Sequence, residues 1–123
     1  RFTGRIENEE FAGYYSQATI AVVPSLYEGF GLPAAEAMAC GVPLISTSGG
    51  ALPEVVGDAG IIVPPADANA LAREIIFLLN NSEQRKKMAQ AGIDRVDSIF
   101  NWTKAAGDMV EVYREAIDGY GRN

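Results

Sequence analysis

Two glutamates mark the segment of this sequence whose residue types are best suited to chemistry. Glu28 and Glu36 are separated by seven residues, and Gly29 and Gly31 lie between them. A carboxylate accepts two O–H hydrogen bonds and a sugar diol offers two, so each glutamate suits a pair of hydroxyl groups. The glycines allow a ligand to approach the backbone closely. The spacing therefore predicts a site for a ligand that carries hydroxyl groups at two places.

A helix is predicted to begin directly after the glycines. Pro33 suits the first turn of that helix and Gly41 suits its end. Free N–H groups around residues 30–34 would then form an anion site at the helix N-terminus. Carboxylates repel phosphate, so the pair makes sense if it brackets a diphosphate and each glutamate faces one sugar of a nucleotide-sugar. A helix-dipole partner or a solvated loop acid explains either glutamate alone, but explains the pair less well.

The elements that would position this segment predict an α/β fold. Residues 19–24 are a continuous apolar run, as in a strand buried on both faces of a parallel sheet. Further strands are predicted at residues 1–6, 42–47 and 60–63. Helices are predicted at about residues 9–17, at 33–41, within 49–56, at 68–79, at 82–96 and after residue 101. The predicted N-caps of the first, fourth and last of these helices are Asn8, Asp67 and Asn101. The alternation predicts a Rossmann-like parallel sheet of about four strands with flanking helices, in one domain over residues 1–123.

The composition excludes several classes of protein. The formal charge of −6 argues against nucleic-acid binding, and the absence of His makes a transition-metal site improbable on chemical grounds. Cys40 is the one cysteine, which excludes an internal disulfide and predicts a small buried residue in a helix. A reducing, cytoplasmic setting fits this composition. The chain begins at Arg1 without Met, inside a predicted strand, which indicates a truncated domain.

A long stretch of the chain resembles a known family. The segment PSLYEGFGLPAAEAMACGVPLIS is similar to the signature of the retaining glycosyltransferases of GT-B fold, family 4 (glycosyl transferases group 1). Members of that family carry two glutamates separated by seven residues, as Glu28 and Glu36 are. The segments FTGRI, GGALPEVVGDAGIIVPPADANALA and FNWTKAA follow the family's order. The resemblance implies that the chain is the later part of a C-terminal, nucleotide-sugar-binding domain.

The resemblance also implies roles for individual residues. Glu36 would hold the ribose hydroxyls of the donor. Glu28 would contact hydroxyls of the donor sugar close to the reacting carbon, and is the candidate catalytic residue. The implied donor-binding set is Arg5, Glu28, Gly29, Phe30, Gly31, Leu32 and Glu36, with the backbone amides of residues 30–32 contacting the sugar and the diphosphate.

Two other features that match the family are explained about as well without a role in binding. Arg5 would lie near the nucleotide base, often through its main chain, but a solvated surface arginine accounts for it as well. Gly49 and Gly50 match a family loop near the site, although a structural turn explains them almost equally.

The reaction implied by the family transfers a sugar from a nucleoside diphosphate to an acceptor hydroxyl with retention at the anomeric carbon. No cofactor besides the donor substrate and no metal ligand is expected, since the fold normally needs no metal and the sequence has no Asp-X-Asp motif. The family's Arg and Lys clamp for the diphosphate lies upstream of the segment matching Arg1, as does the N-terminal acceptor-binding domain. The chain alone is therefore expected to bind a nucleotide-sugar weakly and to catalyse nothing.

Two other functions remain open from the residues. One is a non-catalytic module that binds nucleotide-sugars. Another is a nucleotide-sugar epimerase, although such an enzyme would use other acid and base residues, often His. A dinucleotide dehydrogenase is disfavoured because no G-x-G-x-x-G follows a strand.

The expected strand order has a consequence for assembly. In the usual doubly wound order 3-2-1-4-5-6, the strand at residues 1–6 would be the third, and the first two would be absent. The strand at residues 19–24 would then expose an unpaired edge, which predicts self-association with the first segment displaced or exchanged. The expected location is the cytoplasm, with the parent either free or peripheral to the inner face of a membrane.

Overall fold

The protein forms three strands and six helices within residues 2–120, the part that the computed structural model describes apart from the side chains of Asn8 and Glu9. In chain order these elements are α1 (Asn8–Gln17), β1 (Ala21–Val23), α2 (Leu32–Ala39), β2 (Leu44–Thr47), α3 (Leu52–Val56), β3 (Ile61–Val63), α4 (Ala68–Leu79), α5 (Ser82–Ile99) and α6 (Trp102–Tyr120). The alternation of strands and helices confirms the predicted α/β class.

The three strands form one parallel sheet in the order β1-β2-β3. Ile45 in the central strand pairs with Val22 on one side and with Ile61 on the other. The predicted strand at residues 1–6 is wrong over residues 2–6, which form no strand, and Arg1 lies outside the described residues. No described strand lies beside this segment, so its backbone groups have no ladder to join. The described sheet thus has three strands instead of about four.

The central strand β2 separates two apolar cores. Leu44 packs with Met38 and Val56 from the side of α2 and α3. The next residue, Ile45, points to the opposite face and packs with Leu78 of α4 and with Met88 of α5. Because successive side chains of a strand alternate between faces, helices on both sides are needed to cover β2. This three-layer arrangement fixes the carboxyl end of the sheet, where the candidate site lies.

Two helices begin with the cap that the sequence predicts. The Asp67 carboxylate accepts a hydrogen bond from the Ala70 N–H at 2.8 Å, and α4 has the predicted bounds. The Asn101 side chain accepts one from the Lys104 N–H at 2.7 Å. Such side chains satisfy backbone donors that lack a partner within the helix.

The first helix begins one residue earlier than expected. It starts at Asn8, so the prediction that Asn8 is its cap is wrong, and Glu7 takes that position. The Glu7 N–H donates to the Glu10 carboxylate at 3.1 Å, the reciprocal half of a capping box. A glutamate three residues into the helix therefore fixes its start.

The last helix leaves its apolar side uncovered by the described part of the chain. No residue of α6 is buried, and Trp102 and Tyr120 are each at least 90% exposed.

Cys40 is exposed as well at the end of α2, so the prediction of a buried cysteine is wrong. Among residues 2–120, no helix combines the length and the apolar content that crossing a membrane requires.

Candidate functional site

The loop that joins β1 to α2 contains the first of the two glutamates. The strand ends at Val23 and the helix begins at Leu32, so Glu28 lies in the connection beyond the carboxyl end of β1. Glu36 lies in the second turn of α2. Ligands of open parallel sheets bind in this region. Both glutamates therefore occupy the part of the fold that the sequence predicts.

The start of α2 depends on Gly31. This residue is the N-cap and adopts φ of +89°, a conformation that residues with side chains rarely adopt. A Cβ added there would lie 3.2 Å from Leu52 Cδ2 and 3.4 Å from Val55 Cγ2. The absence of a side chain thus lets the N-terminus of α2 pack directly on α3.

Three consecutive N–H groups at this helix start make no described hydrogen bond. Within the described hydrogen bonds, the N–H groups of Phe30, Gly31 and Leu32 have no acceptor. Pro33 has no N–H, and the Ala34 N–H donates to the Gly31 carbonyl at 3.0 Å. The available set is therefore narrower than the predicted range of residues 30–34. Three adjacent donors at the positive end of a helix suit a phosphate group.

Glu28 is held from two directions. Its carboxylate accepts a hydrogen bond from the Ser25 hydroxyl at 3.1 Å, and its carbonyl oxygen accepts one from the Ala51 N–H at 2.9 Å. The side chain is half-buried. A carboxylate with one engaged oxygen can still accept hydrogen bonds from hydroxyl groups at its remaining lone pairs.

Glu36 is exposed, and its described side-chain neighbour is Tyr15 of α1. The Tyr15 hydroxyl lies 3.5 Å from the Glu36 carboxylate and 3.4 Å from the Pro33 carbonyl oxygen, both long for hydrogen bonds from a hydroxyl. Burial and the Glu36 carboxylate raise the pKa of Tyr15 above its usual value of 10.0. Tyr15 therefore remains a neutral phenol beside the carboxylate at neutral pH.

A cavity of about 430 Å³ opens next to Glu36 but does not include Glu28. It lies between α2 and the start of α6, with Leu32, Phe100 and Trp102 among its walls. Phe30 also borders it and meets Phe100 edge-on, with the ring centres 6.5 Å apart. This cavity is therefore an apolar space beside one glutamate and does not enclose the pair.

Gly29 and Arg5 are the other two residues of the predicted site. Gly29 is exposed, and a Cβ added to it would meet no atom within 4 Å, so a ligand could approach it closely. Arg5 is exposed in the segment before α1, and no described hydrogen bond or ion pair joins it to either glutamate. The structure brings Glu28, Gly29 and the N–H groups of residues 30–32 into one loop. No described hydrogen bond or ion pair tests the expected place of Arg5 near the nucleotide base, so that role stays a prediction.

Three residues around the glutamates escaped prediction. Ser25 precedes Glu28 by three residues, and a hydroxyl at that distance in a loop is a recognisable hydrogen-bonding pattern. Thr47 and Tyr15 carry no such local signal. Thr47 donates to the Ser25 carbonyl across 22 positions, and Tyr15 meets Glu36 across 21. Only the packed fold reveals these contacts.

The charged side chains of residues 24–36 are both carboxylates, those of Glu28 and Glu36. The three described ion pairs lie on α5 and α6 and pair Lys86 with Glu83, Lys104 with Asp108, and Arg114 with Glu111. Over residues 2–120, no group of three or more His, Cys, Asp or Glu side chains is arranged to hold a metal ion. No described ion pair includes Glu28 or Glu36.

The fold and the loop together define a class: a parallel α/β unit with a ligand loop beyond the carboxyl end of a strand. The sequence profile of the family described as "Glycosyl transferases group 1" matches residues 1–95. The chain belongs to this family.

Relatives in the family are much longer than this chain. The MMP alpha-(1->4)-mannosyltransferase of Mycolicibacterium hassiacum is 41% identical over 115 residues, which are 91% of this chain and 28% of that protein. The solved sucrose-phosphate synthase of Thermosynechococcus elongatus is 42% identical with a TM-score of 0.85, over 97% of this chain and 30% of that one. A solved C-terminal domain of a group 1 family protein from Francisella tularensis is 38% identical with a TM-score of 0.74, over 82% of this chain and 53% of that domain. This chain thus corresponds to about three tenths of the length of its full-length relatives.

Proposed function

We propose that this chain is the later part of the donor-binding domain of a retaining glycosyltransferase. It would bind a nucleoside diphosphate sugar from which the whole enzyme transfers the sugar to an acceptor hydroxyl. The observation that carries the proposal is the run of three N–H groups without acceptors at the start of α2, flanked by Glu28 and Glu36. Membership in the glycosyl transferases group 1 family supports the reaction class.

The proposed roles of the N–H groups and of the two glutamates follow from where each lies relative to α2. The N–H groups of Phe30, Gly31 and Leu32 bind the diphosphate, because they lie at the positive end of α2 and have no described competing acceptor. Glu36, one turn into the helix, accepts hydrogen bonds from the ribose hydroxyls. Glu28, in the loop before the helix, accepts them from the donor sugar next to the reacting carbon.

Binding of a panel of donors tests this assignment. Ligand-observed NMR with UDP-glucose, GDP-mannose and ADP-glucose should detect weak binding of at least one donor by the chain. Glu36→Gln should weaken that binding about tenfold, because it replaces a charged acceptor with a neutral one. Glu83→Gln, on the exposed face of α5, is the matched control and should leave binding unchanged. A Glu36→Gln chain that binds as tightly as the unaltered chain would contradict the ribose role.

Catalysis is proposed to need residues outside this chain. No described hydrogen bond or ion pair joins a Lys or Arg to the loop, so the departing diphosphate would lack the positive charge that stabilises it in the transition state. The proposed missing partner is an N-terminal acceptor-binding domain, in a parent that works in the cytoplasm and without a metal ion. A transfer assay with a radiolabelled donor should show no turnover by the chain, and measurable turnover would refute this point.

Self-association of the chain is proposed from the sheet edge. β1 has a described neighbour on one side, β2, and Val22 of β1 is more than a third exposed. Such an edge offers unpaired backbone groups to another chain. Light scattering at micromolar concentrations should give a mass above that of one chain, and Val22→Lys should lower it. A monomeric mass for the unaltered chain across that range would contradict the proposal.

A further inference from the structure

The Glu28 carboxylate already makes a hydrogen bond in the described structure. The Ser25 hydroxyl donates to its Oε2 atom at 3.1 Å, and both residues are half-buried. A carboxylate that is already hydrogen-bonded in the absence of a ligand loses less rotational freedom when a hydroxyl group binds it. Ser25 therefore can determine which way the remaining lone pairs of Glu28 point.

Ser25 is itself attached to the sheet. Its carbonyl oxygen accepts a hydrogen bond from the hydroxyl of Thr47. Thr47 is only 3% exposed and is the last residue of β2, the central and most buried strand. The hydrogen bonds thus run from a rigid strand through Ser25 to the carboxylate.

The backbone of Glu28 is held by the turn after β2. Gly50 adopts φ of +63°, and a Cβ added there would collide with the Glu28 carbonyl oxygen and lie 2.9 Å from the Glu28 amide nitrogen. A Cβ on Gly49 would lie 2.5 Å from the Leu26 carbonyl oxygen. The Ala51 N–H then donates to the Glu28 carbonyl at 2.9 Å. Two residues without side chains let this turn contact the loop backbone directly.

We propose that Ser25, Thr47 and Gly50 are positioning residues that orient Glu28 toward the donor sugar before the donor binds. This inference rests on the proposed function, in which Glu28 faces the sugar and Glu36 faces the ribose. Its consequence is specific: loss of the Ser25 hydroxyl weakens the contribution of the sugar to binding and spares that of the nucleotide. A role confined to folding would weaken binding of both ligands in the same proportion.

The test compares a nucleoside diphosphate with the corresponding nucleoside diphosphate sugar. The dissociation constants of both are measured by NMR titration for the unaltered chain and for Ser25→Ala, with the donor that binds best among UDP-glucose, GDP-mannose and ADP-glucose. Ser25→Ala is expected to reduce the preference for the sugar-bearing ligand about fivefold, the value of one lost hydrogen bond. Ser25→Thr keeps a hydroxyl and should restore the preference, and Thr47→Val should reduce it in the same direction as Ser25→Ala. Ser98→Ala removes a hydroxyl on α5 that donates to the Arg95 carbonyl, and should change neither constant.

The outcomes separate this inference from the function on which it rests. If the unaltered chain prefers the sugar-bearing ligand and Ser25→Ala keeps that preference, the positioning role is refuted while the donor site stands. If the unaltered chain binds both ligands equally, Glu28 makes no sugar contact and the inference is refuted. If it binds neither ligand, the proposed function and the inference are both refuted. Gly50→Ala gives an independent check, since it should shift the amide resonances of Glu28 and Ala51 and reduce the preference as Ser25→Ala does.

Discussion

Arg95 is expected to contribute about 2 kcal/mol to the stability of the folded chain through contacts with α3. Its Nε atom donates to the Val55 carbonyl oxygen at 2.7 Å, and one terminal nitrogen donates to the Glu54 carbonyl oxygen at 2.6 Å. Carbonyl groups in the last turn of a helix find no N–H donor within the helix, so a charged side chain from α5 donates to them instead. Hydrogen bonds to charged groups contribute about 1.5–3 kcal/mol each where water is excluded, and less at the surface. The Val55 bond is part-buried and the Glu54 bond is exposed, so a total near the lower end of that range follows.

Urea unfolding followed by circular dichroism measures this contribution in the Arg95→Ala variant. With a denaturant slope of about 2 kcal/mol/M, the midpoint should fall by about 1 M. Arg114→Ala is the matched control, since Arg114 pairs with Glu111 at 2.6 Å on the exposed side of α6. Such a surface pair contributes about 0–0.5 kcal/mol. Equal midpoints for the two variants would refute the idea that Arg95 links α5 to α3.

Three further predictions concern the core, a helix cap and alkaline pH. Leu78→Ala, at a fully buried position, should cost about 2–5 kcal/mol in urea unfolding, whereas Leu79→Ala, at a neighbour that is 54% exposed, should cost much less. Asp67→Ala should cost about 1 kcal/mol because it removes the cap of α4, and Asp67→Asn should retain most of the stability. The folded state binds the phenolic proton of Tyr15 more tightly than the unfolded state, because burial and Glu36 raise the pKa of Tyr15. The stabilisation from Tyr15 is complete below the pKa of the unfolded state, about 10, and is lost as the pH rises through the raised pKa of the folded state. Between pH 9 and 11 the free energy of unfolding should therefore fall less for Tyr15→Phe than for the unaltered chain. Equal falls for the two would contradict this prediction.

Local signals predicted much of this fold. The bounds of α4 follow from the Asp67 cap and from apolar residues at helical spacing, and both signals lie within the helix itself. Strand lengths were predicted less well: residues 19–24 were expected, but β1 covers only Ala21–Val23. Pairing sets the ends of a strand, and here β1 pairs with a segment 23 positions further along the chain. The apolar pattern of one segment cannot report where its partner stops.

The candidate site was likewise predicted only in part from the sequence. Glu28, Glu36 and the glycines between them lie within one short segment, so their placement beyond the carboxyl end of β1 follows from the order of the elements. Apart from the local hydrogen bond from Ser25 to Glu28, the contacts around the glutamates come from elsewhere in the chain. Thr47 reaches Ser25 from the next strand, and Tyr15 reaches Glu36 from the preceding helix. Tertiary packing creates these contacts, and no spacing in the sequence specifies them.

The central claim is that the start of α2 binds the diphosphate of a nucleotide-sugar. Its most direct test is an amide-resolved NMR titration of the chain with nucleoside diphosphates and their sugar conjugates, with free glucose and mannose as controls. The amide resonances of Phe30, Gly31 and Leu32 should shift with the diphosphate ligands and not with the free sugars, because these three N–H groups lack an acceptor among the described hydrogen bonds. Resonances of residues 30–32 that stay unchanged for every ligand, while those of another surface shift, would contradict the claim.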